Sequence, residues 1–167
     1  MRDGFIKVAA GTPKIRVADC DYNAGQIIAL MKEAAAQGVK VLALPELCVT
    51  GYTCGDLFLQ PTLLDGAERA LERILEETAE LDLLTALGLP VRNTNQKLYN
   101  CAAVMHKGEL LGLVPKSSIP NYGEFYEARW FASGRNCDEE DAVWLCGEWV
   151  DMSPRRLFNC YTLPELT

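Results

Sequence analysis

The spacing of apolar side chains changes several times along the 167 residues, and each change marks an element. Phe5, Lys7 and Ala9 alternate with Ile6, Val8 and Ala10, which predicts a strand over Phe5–Ala10 that Gly11-Thr12-Pro13 stops. Ile27, Ile28, Met31, Ala34 and Ala35 then recur at three- and four-residue spacing. That period predicts an amphipathic helix over Asp21–Gln37, with Gly38 as its C-terminal stop. Val39–Leu44 is a near-continuous apolar run of the kind found in strands covered on both faces. Strand, helix and strand together make a βαβ opening.

Farther along, Leu64, Ala67, Leu71, Ile74 and Leu75 line one face of a second helix predicted over Leu63–Thr78, with Glu and Arg opposite. Leu83–Leu89 is a further apolar segment ending at Pro90, and Arg92–Gln96 is a polar connection. Leu98–Met105 and Glu109–Val114 read as the two arms of a hairpin turned at Lys107-Gly108. Beyond Lys116 the chain is loop-like until two more strand candidates, Ala142–Cys146 and Leu157–Thr162. No repeat, linker or low-complexity segment divides residues 1–167.

Composition narrows the function classes. Hydrophobic residues make up 49% and charged residues 23%, a balance suited to a globular chain with a sizeable core. Lys and Arg total 16 against 23 Asp and Glu, a net charge of −7, so no overall positive field draws in nucleic acid or anionic lipid. The N-terminus lacks the pattern of a secretory signal. Leu81–Val91 carries Asp82 and Thr85 and is too short to span a bilayer. These readings point to a cytoplasmic protein. Its seven cysteines form no C-x-x-C pair, and in a reducing compartment they read as small buried hydrophobes. With His106 as the only histidine, no metal-ligand cluster is expected.

Two strand ends share a form: Leu42-Ala43-Leu44-Pro45-Glu46, and Leu111-Gly112-Leu113-Val114-Pro115-Lys116. In α/β architectures ligands gather at the carboxyl ends of strands, which makes Glu46 and Lys116 a candidate pair. A carboxylate partly desolvated there can take and return a proton, and an ammonium beside it can hold a developing oxyanion. The plainer alternative is that each charge marks a strand emerging into water.

The residues around each charge bear on that choice. Leu44-Pro45-Glu46-Leu47-Cys48-Val49-Thr50-Gly51-Tyr52 resembles the glutamate motif of the carbon-nitrogen hydrolases, the nitrilase superfamily. The segment Pro115–Glu127, with Lys116 at its start, resembles that superfamily's lysine motif. Gly51–Phe58 and Asn121–Phe131 are similar to the glutaminase domain of glutamine-dependent NAD synthetases, a likeness running from Phe5 to Leu166.

This resemblance implies an α/β fold, the N-terminal portion of a nitrilase-like αββα sandwich. It implies glutamine as substrate, Glu46 as general base, Lys116 as stabiliser of the tetrahedral intermediate and Glu124 as an accessory carboxylate. It also sets Tyr52 and Tyr122 at the glutamine pocket. The family nucleophile is a cysteine in a Glu-x-Cys-Glu-Asp-like setting, and none of the seven cysteines has that setting, so a domain cut short of its nucleophile is expected. No cofactor is implied for this domain. ATP and deamido-NAD belong to a C-terminal synthetase domain, the implied partner, which is absent here, and the full-length protein is expected to be a homo-oligomer. A stand-alone amidase of the same superfamily and an inactive assembly module are the competing readings.

Overall fold

Two hydrogen-bonding constraints decide where the elements begin: helix-start amides need acceptors, and strand amides need neighbours. The computed structural model describes residues 5–137, 141–159 and 162. Five strands form one sheet in the order β1 (Val8–Ala10), β2 (Val41–Ala43), β3 (Leu84–Arg92), β4 (Leu98–His106) and β5 (Glu109–Pro115). β1, β2 and β3 are parallel, while β4 and β5 each pair antiparallel with the strand before. A separate hairpin, β6 (Ala142–Leu145) and β7 (Glu148–Asp151), leads into a short link on the β5 edge, where Met152 bridges to Leu113 and Ser153 N–H donates to Leu113 O at 3.1 Å.

Helix α1 spans Cys20–Ala36, and the Asp19 carboxylate accepts the Tyr22 N–H at 3.1 Å, satisfying one amide that the helix start leaves unpaired. Helix α2 spans Pro61–Glu77 and opens with a proline, which has no amide to satisfy. Both lie within a few residues of the ranges their spacing predicts. Ile27, Ile28 and Met31 of α1 and Leu71, Ile74 and Leu75 of α2 are buried; α1 packs on α2, and α2 on β3. Each such side chain withdrawn from water contributes about 1.5–3 kcal/mol before entropic costs.

Strand register sorts the sheet into two unlike faces. Leu42, Thr85, Leu87, Leu89, Cys101, Ala103, Met105 and Leu113 share one face, and all are buried. Ala43, Ala86, Ala102 and Val114 lie on the other and are each at least partly exposed, while Asn100, Val104 and His106 on that face are buried. The Val39–Leu44 run is therefore not covered on both sides: Leu42 is sealed while Ala43 is exposed.

Several boundaries differ from the sequence pattern for local reasons. β1 is only Val8–Ala10, and Phe5 is exposed. β3 runs through Pro90 to Arg92 instead of stopping. Ala86 O and Gly88 O accept bonds on the β2 side, from Leu44 N–H at 2.8 Å and Val49 N–H at 3.2 Å. Pro90 faces the same way by alternation, where β2 has ended, so its missing amide removes no ladder bond. β7 was not foreseen. Its turn is Cys146-Gly147, both in the left-handed region (φ 51° and 80°), matching Lys107-Gly108 (φ 50° and 79°). Leu157–Asn159 form no strand, and Cys160 and Tyr161, the rest of that expected element before Thr162, lie outside the described residues. On the β6–β7 hairpin, Trp144 and Trp149 pair edge to face at 5.6 Å with both rings exposed.

Thr85 is fully buried in β3, and its hydroxyl has no hydrogen-bond partner among the described residues. An unpaired buried hydroxyl costs about 1–3 kcal/mol of desolvation, which an isosteric methyl avoids. Thr85→Val is expected to raise stability by about 1 kcal/mol. A urea titration followed by circular dichroism should show a higher midpoint at unchanged slope; a lower midpoint would show that the hydroxyl is satisfied in solution.

Candidate active site

Because β4 reverses the chain and β5 reverses it again, β2, β3 and β5 run the same way and end on the same side of the sheet. Past β2 the backbone turns across β3 at Gly88. A Cβ on Gly88 would sit 2.2 Å from Leu47 N and 2.8 Å from Glu46 Cα, so only glycine admits this crossing. Asn23 of α1, wholly buried, holds the same segment from the other side. Its amide donates to Val49 O (2.9 Å) and Arg16 O (2.8 Å), and its carbonyl accepts Arg16 N–H (2.7 Å). Glu46 thus leaves a backbone gripped by sheet and helix together.

Lys116 follows β5 directly. Its N–H donates to Asn100 O at 2.8 Å, and its carbonyl accepts Gly134 N–H at 2.9 Å. From this anchored position Lys116 Nζ donates to Glu46 Oε1 at 2.7 Å and to Glu127 Oε1 and Oε2 at 3.1 and 3.0 Å. Asn100 Nδ2 also donates to Glu46 Oε1, and the Tyr52 hydroxyl donates to Glu127 Oε1 at 2.6 Å. Among the described residues, Glu46 Oε2 accepts no bond, which leaves that oxygen available to take a proton.

The two carboxylates differ in setting. The Glu46 side chain is 41% exposed and that of Glu127 only 4%, so the desolvation expected of Glu46 falls on Glu127 instead. Partial burial of Lys116 works against its charge, but the hydrogen bonds and charges of Glu46 and Glu127 outweigh it and raise the ammonium's pKa. Burial, the Tyr52–Glu127 hydrogen bond and the nearby carboxylate charges push the Tyr52 phenol well above its ordinary range.

Glu46 and Lys116 meet as their strand-end positions suggest, and Tyr52 joins them through its hydroxyl. Glu124 does not join: it is exposed and has no hydrogen bond or ion pair among the described residues. Tyr122 is 73% exposed, its ring edge-on to Phe125. The structure brings Glu127, not Glu124, to the lysine. Glu127 opens a 3₁₀ turn, with Trp130 N–H and Phe131 N–H both donating to its carbonyl, while residues 121–126 are exposed loop. A signal existed: Glu127 precedes the apolar Phe131 by one helical turn and so shares its buried side. Asn100 gave no such signal, because its role depends on a register that the sequence does not display.

A cavity of ≈ 450 Å³ opens over this cluster, lined by Glu46, Asn100, Lys116, Ala86, Ala102 and Pro154. That is room for a small amide. A larger one of ≈ 890 Å³ lies between the start of α1 and α2, with Asp19, Arg69 and Arg73 on its wall, and it holds none of the clustered groups.

Burial disfavours the thiolate at each described cysteine. Burial pushes Cys20 and Cys48 up to about 11, aided at Cys20 by nearby Cys54 and Asp19, and it leads the rise at Cys54, Cys101 and Cys137. Cys146 reaches about 12 through burial and the charges of Glu68, Glu72 and Glu148. Each therefore rests as a thiol at neutral pH. Cys101 also points to the helix-covered face, against Met152, opposite Asn100 in the pleat. Glu68, Glu72 and Cys146 bring potential ligand atoms within 4.8 Å of one another, a grouping across 78 residues that the sequence did not reveal. One Glu68 oxygen there already accepts the Cys146 N–H at 2.9 Å.

A profile of the carbon-nitrogen hydrolases matches residues 7–143. The glutamine-dependent NAD(+) synthetase of Mycobacterium tuberculosis is 36% identical over 161 residues, 96% of this chain and 23% of that protein. The Aquifex aeolicus glutamine-dependent NAD(+) synthetase is 38% identical over 118 residues, 71% of this chain and 20% of that protein. The chain thus spans less than a quarter of the length of these relatives. Among solved structures, the glutamine-dependent NAD(+) synthetase of Cytophaga hutchinsonii superposes with a TM-score of 0.79 at 31% identity, covering 92% of this chain and 26% of that one. An amidase from Nesterenkonia sp. superposes at 0.66 with 20% identity, covering 92% and 56%, a likeness of fold.

Glu127→Gln keeps the shape of the buried side chain and removes the charge that Lys116 faces. The Lys116 titration, followed by NMR of its ε-carbon and assigned with Lys116→Arg, is expected to fall toward the ordinary lysine value of about 10.4. The sign follows from linkage. A raised folded pKa stabilises fully below the unfolded value and is lost as pH rises through the folded one, so wild type should lose its advantage over the variant only in strongly alkaline solution. An unchanged Lys116 titration would show that Glu127 does not act on it.

Proposed function

The chain belongs to the carbon-nitrogen hydrolase family, and from that membership we propose that Glu46, Lys116 and Glu127 form the base-and-lysine part of a glutaminase site feeding ammonia to an NAD synthetase. The observation that supports this reading most is the Lys116 ammonium held between Glu46 at 2.7 Å and Glu127 at 3.0 Å where the parallel strands end. The similarity to glutamine-dependent NAD(+) synthetases supports the choice of glutamine.

In this reading a cysteine thiol gives its proton to the open Oε2 of Glu46 as its sulfur attacks the side-chain amide carbon of glutamine. The oxygen of that amide gains the negative charge, and Lys116 stabilises it by a charge-assisted hydrogen bond. Glu46 returns the proton to the leaving nitrogen, the C–N bond breaks, and ammonia departs from a thioester. Water then adds to the thioester with Glu46 again taking its proton; glutamate is released as the thiol is restored. Asn100 fixes one oxygen of Glu46 so that the other faces the reaction, and Glu127 keeps Lys116 charged and aimed. Tyr52 serves through its bond to Glu127. ATP and deamido-NAD are assigned to a synthetase domain beyond this chain. The attacking thiol is assigned to a cysteine outside the described residues: Cys48 and Cys54 do not line the cavity over Glu46 and Lys116, and the Cys101 thiol faces Met152 on the opposite side of the sheet.

In the full-length protein, Glu46→Gln and Lys116→Ala are each expected to lower glutamine-driven NAD synthesis by about 10²-fold or more while leaving ammonia-driven synthesis intact. Equal loss with both nitrogen sources, in folded variants, would sink the assignment.

A glutamine-mimicking diazo-ketone offers an independent check on the nucleophile. Incubated with the 167-residue chain and read by intact mass and peptide mapping, it is expected to leave Cys48, Cys54 and Cys101 unmodified. Stoichiometric labelling of one of them, blocked by glutamine and abolished by Glu46→Gln, would put the nucleophile within the described chain.

A further inference from the structure

Glu127 reaches Lys116 from a weakly supported stretch of chain. Residues 121–126, which lead into it, are all exposed, and the incoming loop ties to it through Glu127 N–H donating to Pro120 O at 3.1 Å. Support arrives instead from across the site mouth, from the 3₁₀ turn Gly55–Leu59 that follows Tyr52. Asp56 in that turn accepts Arg129 Nε at 2.7 Å and Arg129 Nη2 at 2.8 Å on its two oxygens, and Trp130 Nε1 at 2.9 Å on the first. The fully buried Phe58 packs on Phe131 at 4.9 Å and Trp130 at 6.0 Å.

These contacts bracket the pair that matters. Tyr52 lies four residues before Asp56, and Glu127 lies two before Arg129, so the Tyr52–Glu127 bond and the Asp56 grip join the same two segments. We propose that Asp56 is a positioning residue: by gripping Arg129 and Trp130 it fixes the turn that delivers Glu127 to Lys116 and Tyr52. The structural part stands by itself, and its catalytic consequence rests on the glutaminase reading above.

Magnitudes favour a local role over a global one. The pair is solvent-exposed, with side chains 56% and 61% accessible, and exposed ion pairs add little to overall stability. What a planar, two-bond guanidinium–carboxylate fork supplies is direction. The Arg129 hydrogen bonds, with that of Trp130, also hold the Asp56 carboxyl well below the usual carboxylate range, so the grip stays charged through neutral and mildly acidic pH. Without it the turn at 127–130 keeps the Phe58 packing but loses its fixed angle. Glu127 would then leave Lys116 for part of the time, and the ammonium would turn wholly to Glu46, the group that must accept the proton.

The test reads Tyr52 as a reporter of Glu127. The 167-residue chain is grown with 3-fluorotyrosine, which acidifies the phenol into an accessible range, and titrated by fluorine NMR with Tyr52→Phe for assignment. Tyr99 is 2% exposed, its phenol pushed up to about 12 first by burial, and it serves as the internal measure of intact folding. Asp56→Ala and Arg129→Ala are each expected to lower the Tyr52 midpoint by about one pH unit or more, with the double variant adding no further fall and Tyr99 unmoved. An unmoved Tyr52 overturns the proposal. So does a Tyr99 that falls together with Tyr52, because Asp56 would then hold the whole fold and not this turn.

In the full-length protein the same two variants are expected to reduce glutamine-driven kcat by about ten- to a hundredfold at nearly constant KM, with ammonia-driven turnover unchanged. Loss of the Tyr52 shift condemns the positioning role. A Tyr52 shift without change in glutamine-driven kcat removes its catalytic meaning, and a wild-type protein inert toward glutamine removes the glutaminase reading while leaving the positioning role in place.

Discussion

Burying the Glu127 carboxylate is the constraint on which the site depends. A carboxylate withdrawn from water to this extent survives as a charge only if it is paired and its oxygens are hydrogen-bonded. Lys116 and Tyr52 meet both demands, one from the end of β5 at the start of the same connection, the other from the loop after β2, 75 residues away. The requirement therefore ties the loop after β2 to the connection after β5, and Glu46 is drawn in because it shares the lysine. Removing one partner would leave an uncompensated charge, which costs more than the pair itself contributes.

Such a cluster needs backbone that does not yield. Gly88 lets the Glu46 segment lie directly on β3, Gly134 lets residues 132–134 lie against Pro115, and Asn23 ties Val49 of the Glu46 loop to the Arg16 backbone before α1. Neither glycine touches a substrate in the proposed mechanism. Their contribution is proximity: a Cβ at Gly134 would stand 2.5 Å from Pro115 O, beside the residue that precedes the lysine.

How much of this was legible in the sequence varies with the range of the interaction. The helices were readable because their burial repeats every three or four residues and Gly38 stops the first, while the Asp19 cap and Pro61 place their starts a residue or two earlier than the spacing alone. The β4–β5 hairpin was readable because Lys107-Gly108 has the composition of a left-handed turn. Glu46 and Lys116 stood out by a shared strand-end form, and the motifs around them carried the resemblance that implied the fold class. Pro90 misled because its effect depends on which side the neighbouring strand lies. The Val39–Leu44 run misled because an apolar sequence does not say whether a second layer covers it. The exchange of Glu124 for Glu127 has the same origin: two glutamates three residues apart in one loop differ only in which faces Phe131. Asn100 and the Asp56–Arg129 contact are set by register and by loop packing across 54 and 73 residues, beyond any local pattern.

The exposed indole pair on the β6–β7 hairpin has an optical consequence. The chain has three tryptophans, and two of them, Trp144 and Trp149, sit edge to face in solvent, away from the helix-covered core. The third, Trp130, is half-buried three residues beyond Glu127, with its N–H on Asp56. Intrinsic emission excited at the red edge of the absorption band will therefore come mostly from wet indoles, and its wavelength will shift little when the core melts. The useful light is in the Trp130 component: with the hairpin pair replaced by phenylalanine, one fluorophore would report the turn after Glu127 and its bond to Asp56 alone.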